Sequence, residues 1–248
     1  GAQQNLNSGI IRNYEINIPD LPTQTRIASI LSSLDDKIAL NRRMNATLEQ
    51  LAATLFKKYF VDDIDPDNLP EGWRFGKVGE MLELVYGKAL KENDRKGGKY
   101  PVLGSSGIVG YHDVYLSTGN GIMVGRKGNA GAVIWVFENF FPIDTTYYVR
   151  DILETKGRYF YYFLLKELNL GSLNSDSAVP GLNRNHAHSQ EVLIPTKDAI
   201  IHFNHEAKTF FDKIENNNSQ NRFLTSLRDT LLPKLMSGEV DLTTITKN

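Results

Sequence analysis

Apolar residues recur at alternating spacings of four and three through Ile27, Leu31, Leu34 and Ile38, then resume at Leu48, Ala52 and Leu55. This is the period of a helix that carries a coiled-coil seam. A second stretch has the same pattern at Phe203, Ala207, Phe210, Ile214, Leu224 and Leu231. Between the apolar halves both seams hold asparagine, at Asn41 and Asn45 and at Asn217 and Asn221. The helix-pairing residues are then Leu34, Ile38, Asn41, Asn45 and Leu48 in one stretch and Phe210, Ile214, Asn217, Asn221 and Leu224 in the other. The asparagines admit two readings. They are buried and fix register at some expense of stability, or they mark a solvated break between shorter helices, because Asn216 to Ser219 has poor helix propensity. Unbroken, a helix of about 35 residues spans roughly 50 Å.

The two stretches are copies. Shifting residues 18–58 onto 194–234 aligns twelve identical residues over forty-one positions without a gap, among them Ile18/Ile194, Pro19/Pro195 and the run Asp36-Lys37-Ile38 on Asp212-Lys213-Ile214. The match starts earlier still, at Leu6/Leu182, Asn7/Asn183 and Glu15/Glu191. Residues 1–19 therefore read as the tail of a preceding domain, and polar–apolar alternation from Arg12 to Ile18 predicts a terminal strand closed by Pro19. Residues 20–62 are the first long helix and a linker rich in Asp, Pro and Gly. Residues 194–248 are the second helix and a tail.

Between them, residues 63–193 gather aromatic and β-branched residues in short runs punctuated by glycine, the mark of a mixed, strand-rich domain. Strands are predicted at Tyr100–Leu103, Gly121–Val124, Ala132–Phe137, Thr146–Val149 and Glu191–Ile194. Loops are predicted at Gly97-Gly98, Gly104–Gly107 and Gly125–Gly131, and Gly171–Asn185 reads as a polar loop able to carry specificity. The Tyr, Phe and Leu stripe from Arg158 to Asn169 predicts a helix packed on the sheet. The fold class is α+β, one strand-rich domain flanked by two long repeated helices.

Composition narrows the chemistry. The 248 residues contain no cysteine, which excludes disulfides and thiolate metal sites and points to a reducing, cytoplasmic setting. The apolar run Ala132 to Phe137 is too short to cross a bilayer. Net charge is −1, so a nucleic-acid site has to be a local patch. One region qualifies, since residues 84–135 hold seven basic residues against three acidic ones. Within it, Gly125-Arg126-Lys127-Gly128-Asn129-Ala130-Gly131 joins backbone that can approach phosphate closely to side chains that donate to base edges. A second contact loop is Ser105-Ser106-Gly107 with Tyr111 and His112. The DNA-contact candidates are Lys88, Ser105, Arg126, Lys127 and Asn129, and the same composition also suits ordinary glycine-rich hairpins.

Asp144 followed by Glu154-x-Lys156 is compatible with the acidic pair and lysine of Mg²⁺-dependent nucleases. The alternative is that Glu154 to Gly157 forms a solvated entry to the Tyr-rich helix. His186 and His188 fit a loop, while His202 and His205 lie on the second long helix without carboxylates that would complete a metal site. No dinucleotide-binding glycine pattern follows a strand, and no Asn-Pro-Pro or Asp-Pro-Pro adenine-methylation signature occurs. A coiled-coil scaffold whose globular head binds protein is the other non-enzymatic reading.

Two copies of one helix bracket a domain that opens with Leu69-Pro70-Glu71-Gly72-Trp73 and contains Tyr100-Pro101-Val102-Leu103-Gly104, Gly110-Tyr111 and Gly125-Arg126-Lys127-Gly128. The second copy ends Leu231-Leu232-Pro233-Lys234-Leu235-Met236-Ser237-Gly238-Glu239-Val240. On these residues the whole chain resembles the specificity subunit of type I restriction-modification systems, in a half-length form with one target recognition domain. The helix openings, Pro22-Thr23-Gln24 and Pro195-Thr196-Lys197, depart from the family's Pro-x-x-Glu-Gln. The resemblance implies an antiparallel coiled coil whose length fixes the gap in a split DNA site, and a DNA-binding subunit without catalysis or cofactor of its own. It further implies methyltransferase subunits that use S-adenosylmethionine, and an ATP- and Mg²⁺-dependent restriction subunit joined through them. A half-length form would act as a homodimer on an inverted repeat.

Overall fold

The computed structural model describes residues 8–15, 18–174, 181–240 and 242. The chain divides into two compact units, residues 1–46 with 216–248, and residues 47–215. Among the described residues, helices α1 (Ser8–Arg12) and α2 (Leu21–Phe60) precede nine strands, β1 (Arg74–Lys77), β2 (Leu82–Tyr86), β3 (Tyr100–Gly104), β4 (Gly107–His112), β5 (Gly121–Gly125), β6 (Val133–Val136), β7 (Phe141–Pro142), β8 (Thr146–Asp151) and β9 (Glu191–Ile194). Helices α3 (Tyr159–Glu167) and α4 (Arg184–His188) lie between β8 and β9, and α5 (Lys197–Ser237) closes the chain. Among the described residues no helix is long and apolar enough to cross a membrane.

The repeated helices begin on equivalent caps. Asp20 accepts from the Thr23 backbone N–H at 3.0 Å, and Thr196, its counterpart in the repeat, accepts from the Ala199 N–H at 3.3 Å through its hydroxyl. At the other end of α5, Gly238 takes a positive φ of 76° and the helix stops.

In the first unit the helices pair antiparallel. Ile27 of α2 meets Leu235 near the end of α5, with Ile30, Leu31 and Leu231 packed around them. Asp35 accepts from Arg228 at 2.7 Å. The asparagines meet in the seam, where Asn41 donates to Asn221 Oδ1 at 2.9 Å and to Gln220 Oε1 at 2.7 Å. Asn217 donates to Asn45 Oδ1 at 2.8 Å, and Asn45 donates to Asn218 Oδ1 at 2.8 Å. Exchanging the two copies turns the Asn41–Asn221 contact into the Asn217–Asn45 contact, so the pairing has local two-fold symmetry. Because α5 is helical throughout Asn216–Ser219 and Asn41 and Asn217 are buried, the solvated break does not form.

The second unit is layered. A four-stranded antiparallel sheet, in the order β2-β8-β5-β6, stands between helices and a three-stranded sheet of order β4-β3-β7. Strand β5 is buried along its whole length. Its Ile122 and Val124 belong to the core shared with α3, whereas Met123 belongs to a smaller core with Leu103, Val136 and Phe140. Alternate residues of a strand face opposite sides, so covering both faces makes the run continuously apolar. Every residue of α3 from Tyr159 to Leu165 is buried for the same reason. Strands β1 and β9 form a separate antiparallel pair that brings Arg74 opposite Ile194.

Three expectations need correction. The terminal strand from Arg12 to Ile18 is absent among the described residues, where Ser8–Arg12 is instead a short helix, and residues 16 and 17 lie outside them. Glu191–Ile194, the repeat counterpart of residues 15–18, becomes a strand because β1 pairs with it. On the second helix the buried aromatics are Phe203 and Phe211, 0% and 3% exposed, whereas Phe210 is only partly buried. Part of the loop expected at 171–185 is helical, in a 3₁₀ turn and in α4, while residues 175–180 lie outside the described residues.

Replacing Asn217 with Leu leaves Asn45 without its donor, and should cost about 1–3 kcal/mol in chemical denaturation. Joining Asn45→Leu to Asn217→Leu should recover most of that loss. Strictly additive losses would contradict the coupling.

Candidate nucleic-acid interface

One end of the four-stranded sheet collects the loops. There Tyr86, which ends β2, pairs with Tyr147 at the start of β8, and Val124, next to the end of β5, pairs with both Tyr147 and Val133. The loop after β5 is anchored to the turn before β8, since the Arg126 and Lys127 backbone N–H groups donate to the Thr145 carbonyl at 2.9 and 3.1 Å. It is also tied to the segment entering α4, where Leu182 N–H donates to the Arg126 carbonyl at 2.8 Å. Gly131, at φ 83°, lies so close to the Gly171 backbone that a side chain there would collide with it. Gly128, at φ 72°, rests over Ser105, the first residue of the β3–β4 turn. Backbone contacts thus bring together four segments distant in sequence.

Arg126 is half-buried, and its Nη1 donates to the Asp144 carbonyl at 2.9 Å. Its guanidinium carbon is 5.0 Å from the centroid of the Tyr86 ring, and that of Arg184 is 4.9 Å from the same ring. Tyr86, Arg126, Tyr147, Asn183, Arg184 and Asn185 line a polar cleft. At its floor the Tyr147 hydroxyl donates to the Leu182 carbonyl at 2.9 Å. Burial, reinforced by Tyr86 and partly offset by Arg126, pushes the Tyr147 hydroxyl up to about 12, so it stays a donor at neutral pH.

The expected contact residues fare differently. Lys88, Lys127 and Asn129 are exposed at this end of the sheet, and Arg126 stands beside them. Ser105 is 8% exposed beneath Gly128, so it supports the loop and its neighbour Ser106 is the exposed hydroxyl. Arg95 is withdrawn from the basic patch, since its guanidinium donates to the carbonyls of Val109 at 2.6 Å and Leu90 at 3.4 Å. Tyr86 and Arg184 were missed because each sits outside a glycine-rich run. The run Asn183-Arg184-Asn185, one Arg between two amides, is the sequence signal that could have pointed to the position.

The nuclease arrangement does not assemble. Asp144 precedes β8 while Glu154 and Lys156 follow it, and a six-residue strand separates its ends by roughly 20 Å. Glu154 and Lys156 take positive φ in the turn before α3, where buried Thr155 donates to Asp151 at 2.9 Å. Among the described residues no group of three His, Asp or Glu could hold a metal ion. His188 has a structural task, as its Nε2 accepts the Leu84 backbone N–H at 2.9 Å.

A family model for the "Type I restriction modification DNA specificity domain" matches residues 1–50 and 70–224. The chain is 23% identical to the HindI specificity subunit of Haemophilus influenzae, with 93% of this chain and 70% of that protein covered. It is 24% identical to the MjaIX specificity subunit of Methanocaldococcus jannaschii, covering 95% of this chain and 62% of that one. The crystal structure of the type I restriction-modification S subunit from M. genitalium shares the fold, with a TM-score of 0.68 at 21% identity over 88% of this chain and 61% of that chain. The chain thus spans roughly two thirds of the length of the proteins it matches.

Burial and the nearby Arg184 lower the pKa of His188 from its ordinary 6.5, against a smaller opposing pull from Glu83. The neutral ring is the acceptor for Leu84, so its stabilisation is complete above pH 6.5 and is lost as pH falls below 6.5 through the depressed folded value. Thermal melts at pH 7.5 and 5.5 should therefore differ more for the wild type than for His188→Gln. An equal pH dependence would contradict this role.

Proposed function

The chain belongs to the type I restriction-modification DNA specificity family, and from that premise we propose that residues 74–194 read one half of a split double-stranded DNA site. The carrying observation is the convergence of Lys88, Arg126, Lys127, Asn129 and Arg184 on one loop end of the sheet, where among the described residues none of these cations has a carboxylate within 4 Å. Exposed lysines supply phosphate contact, and more rigid side chains supply discrimination between bases. Ser105 acts here through the loop it supports.

The chain contributes address and not chemistry in this proposal. It positions adenine methyltransferase subunits, which carry S-adenosylmethionine, and through them a restriction subunit that uses ATP and Mg²⁺. The helix-pairing residues set the distance between half-sites. Each helix already fills the seam of the other through the asparagine contacts, so a second copy that supplies a second half-site associates through a different surface.

Two measurements test this reading. The purified chain used as bait in a lysate of its source organism should retain an adenine methyltransferase subunit through moderate salt, and retention of none would contradict it. Arg126→Ala should weaken DNA binding by about 1–3 kcal/mol and relax the site preference. Unchanged affinity and preference would remove Arg126 as a reader.

A further inference from the structure

Tyr86 is 44% exposed at the end of β2, and two guanidinium groups from other elements lie against its ring. They are within about 10 Å of one another, near the Debye length of about 8 Å at physiological salt, so salt screens their repulsion only in part. Among the described residues neither has a carboxylate partner, and the buried Nε of Arg184 has no acceptor. Arg126 is held by the Asp144 carbonyl at 2.9 Å. Arg184 starts α4, whose entry is fixed by Asn183 accepting from Asn185 N–H at 2.9 Å and His186 N–H at 3.2 Å. The cluster is therefore rigid, cationic and unneutralised, and it opens into a polar cleft beside the exposed lysines.

We propose that Arg184, held against Tyr86 beside Arg126, reads a guanine in the half-site, with Tyr86 as the positioning residue for both guanidinium groups. The inference rests on the DNA-recognition reading above. A planar guanidinium fixed by an aromatic ring presents paired N–H donors in the geometry of guanine O6 and N7. Phosphate contact needs no such fixing and is left to the flexible side chains of Lys88 and Lys127. The cluster joins the end of β2, the loop after β5 and the start of α4, so altering any one of these segments alters the base read.

The test is selection from a pool of duplexes with randomised half-sites, using the full chain assembled with a methyltransferase subunit of its own system, followed by sequencing. Wild type should require guanine at a defined position. Arg184→Ala should lower that preference by roughly 5- to 150-fold and leave the other positions intact. Arg184→Lys keeps the charge and most of the packing, and should lose the same preference while the salt dependence of binding stays unchanged. Tyr86→Phe should preserve selection, and Tyr86→Ala should loosen it at the positions read by both arginines. Unchanged preference in folded Arg184→Lys and Arg184→Ala would overturn the inference. So would uniform weakening on all sequences with a salt slope lower by about 1, the behaviour of a phosphate contact. If wild type selects no sequence at all, the DNA-recognition reading itself falls.

Discussion

The second unit depends on one aromatic cluster in which segments of both long helices become part of its core. Phe56 and Phe60 of α2 pack on Phe160 of α3 at ring distances of 5.6 and 4.8 Å, and on Phe203 of α5 at 5.8 and 5.5 Å. Trp135 of β6 stacks on Tyr159 at 4.6 Å and meets Phe211 at 4.7 Å. Truncating one such buried ring typically costs about 3–5 kcal/mol. Polar contacts fix the orientation. Asn204 of α5 accepts from the Phe160 N–H at 2.9 Å and donates to the Thr155 carbonyl at 3.1 Å, while Glu49 of α2 accepts from Tyr162 and Lys166 at 2.7 Å each. Burial works to raise the pKa of Glu49, but those two donors hold it below the ordinary value. Helix segments and sheet therefore share one core, on which the strands and the loops at their ends are built.

The first unit follows a different rule, set by duplication. Equivalent residues cap the two helices, and equivalent asparagines exchange hydrogen bonds across the seam. A seam of leucines would hold the helices more tightly in several registers, whereas hydrogen-bonded asparagines favour one. A fixed register suits helices whose proposed task is to define a distance.

Much of this was legible before the fold. The helix period, the copied asparagines and the apolar runs of β3, β5, β6 and β8 each follow from a local rule. The strands that went unnoticed had physical reasons to be quiet. Strand β4 is an edge strand with two glycines and exposed Ile108, Val109 and Tyr111, and β1 carries two cations in four residues. Strand β2 alternates buried Leu82 and Leu84 with Glu83 and Val85, so its signal was present in the pattern but not singled out. The site was legible in its loop and not in its partners. A glycine-rich run announces Arg126, but nothing in sequence says that Arg184 lies over the ring of Tyr86, 98 positions away. Nor does it say that Ser105 is covered by Gly128.

The central claim, that residues 74–194 carry the address, is tested most directly by transplanting them. The graft would replace the corresponding recognition domain of a well-behaved type I specificity subunit between its own long helices. Sequencing methylated DNA from cells that carry the hybrid should show one half-site replaced by a new sequence, with the other half-site retained. A hybrid that assembles and methylates DNA at the original motif would contradict the account.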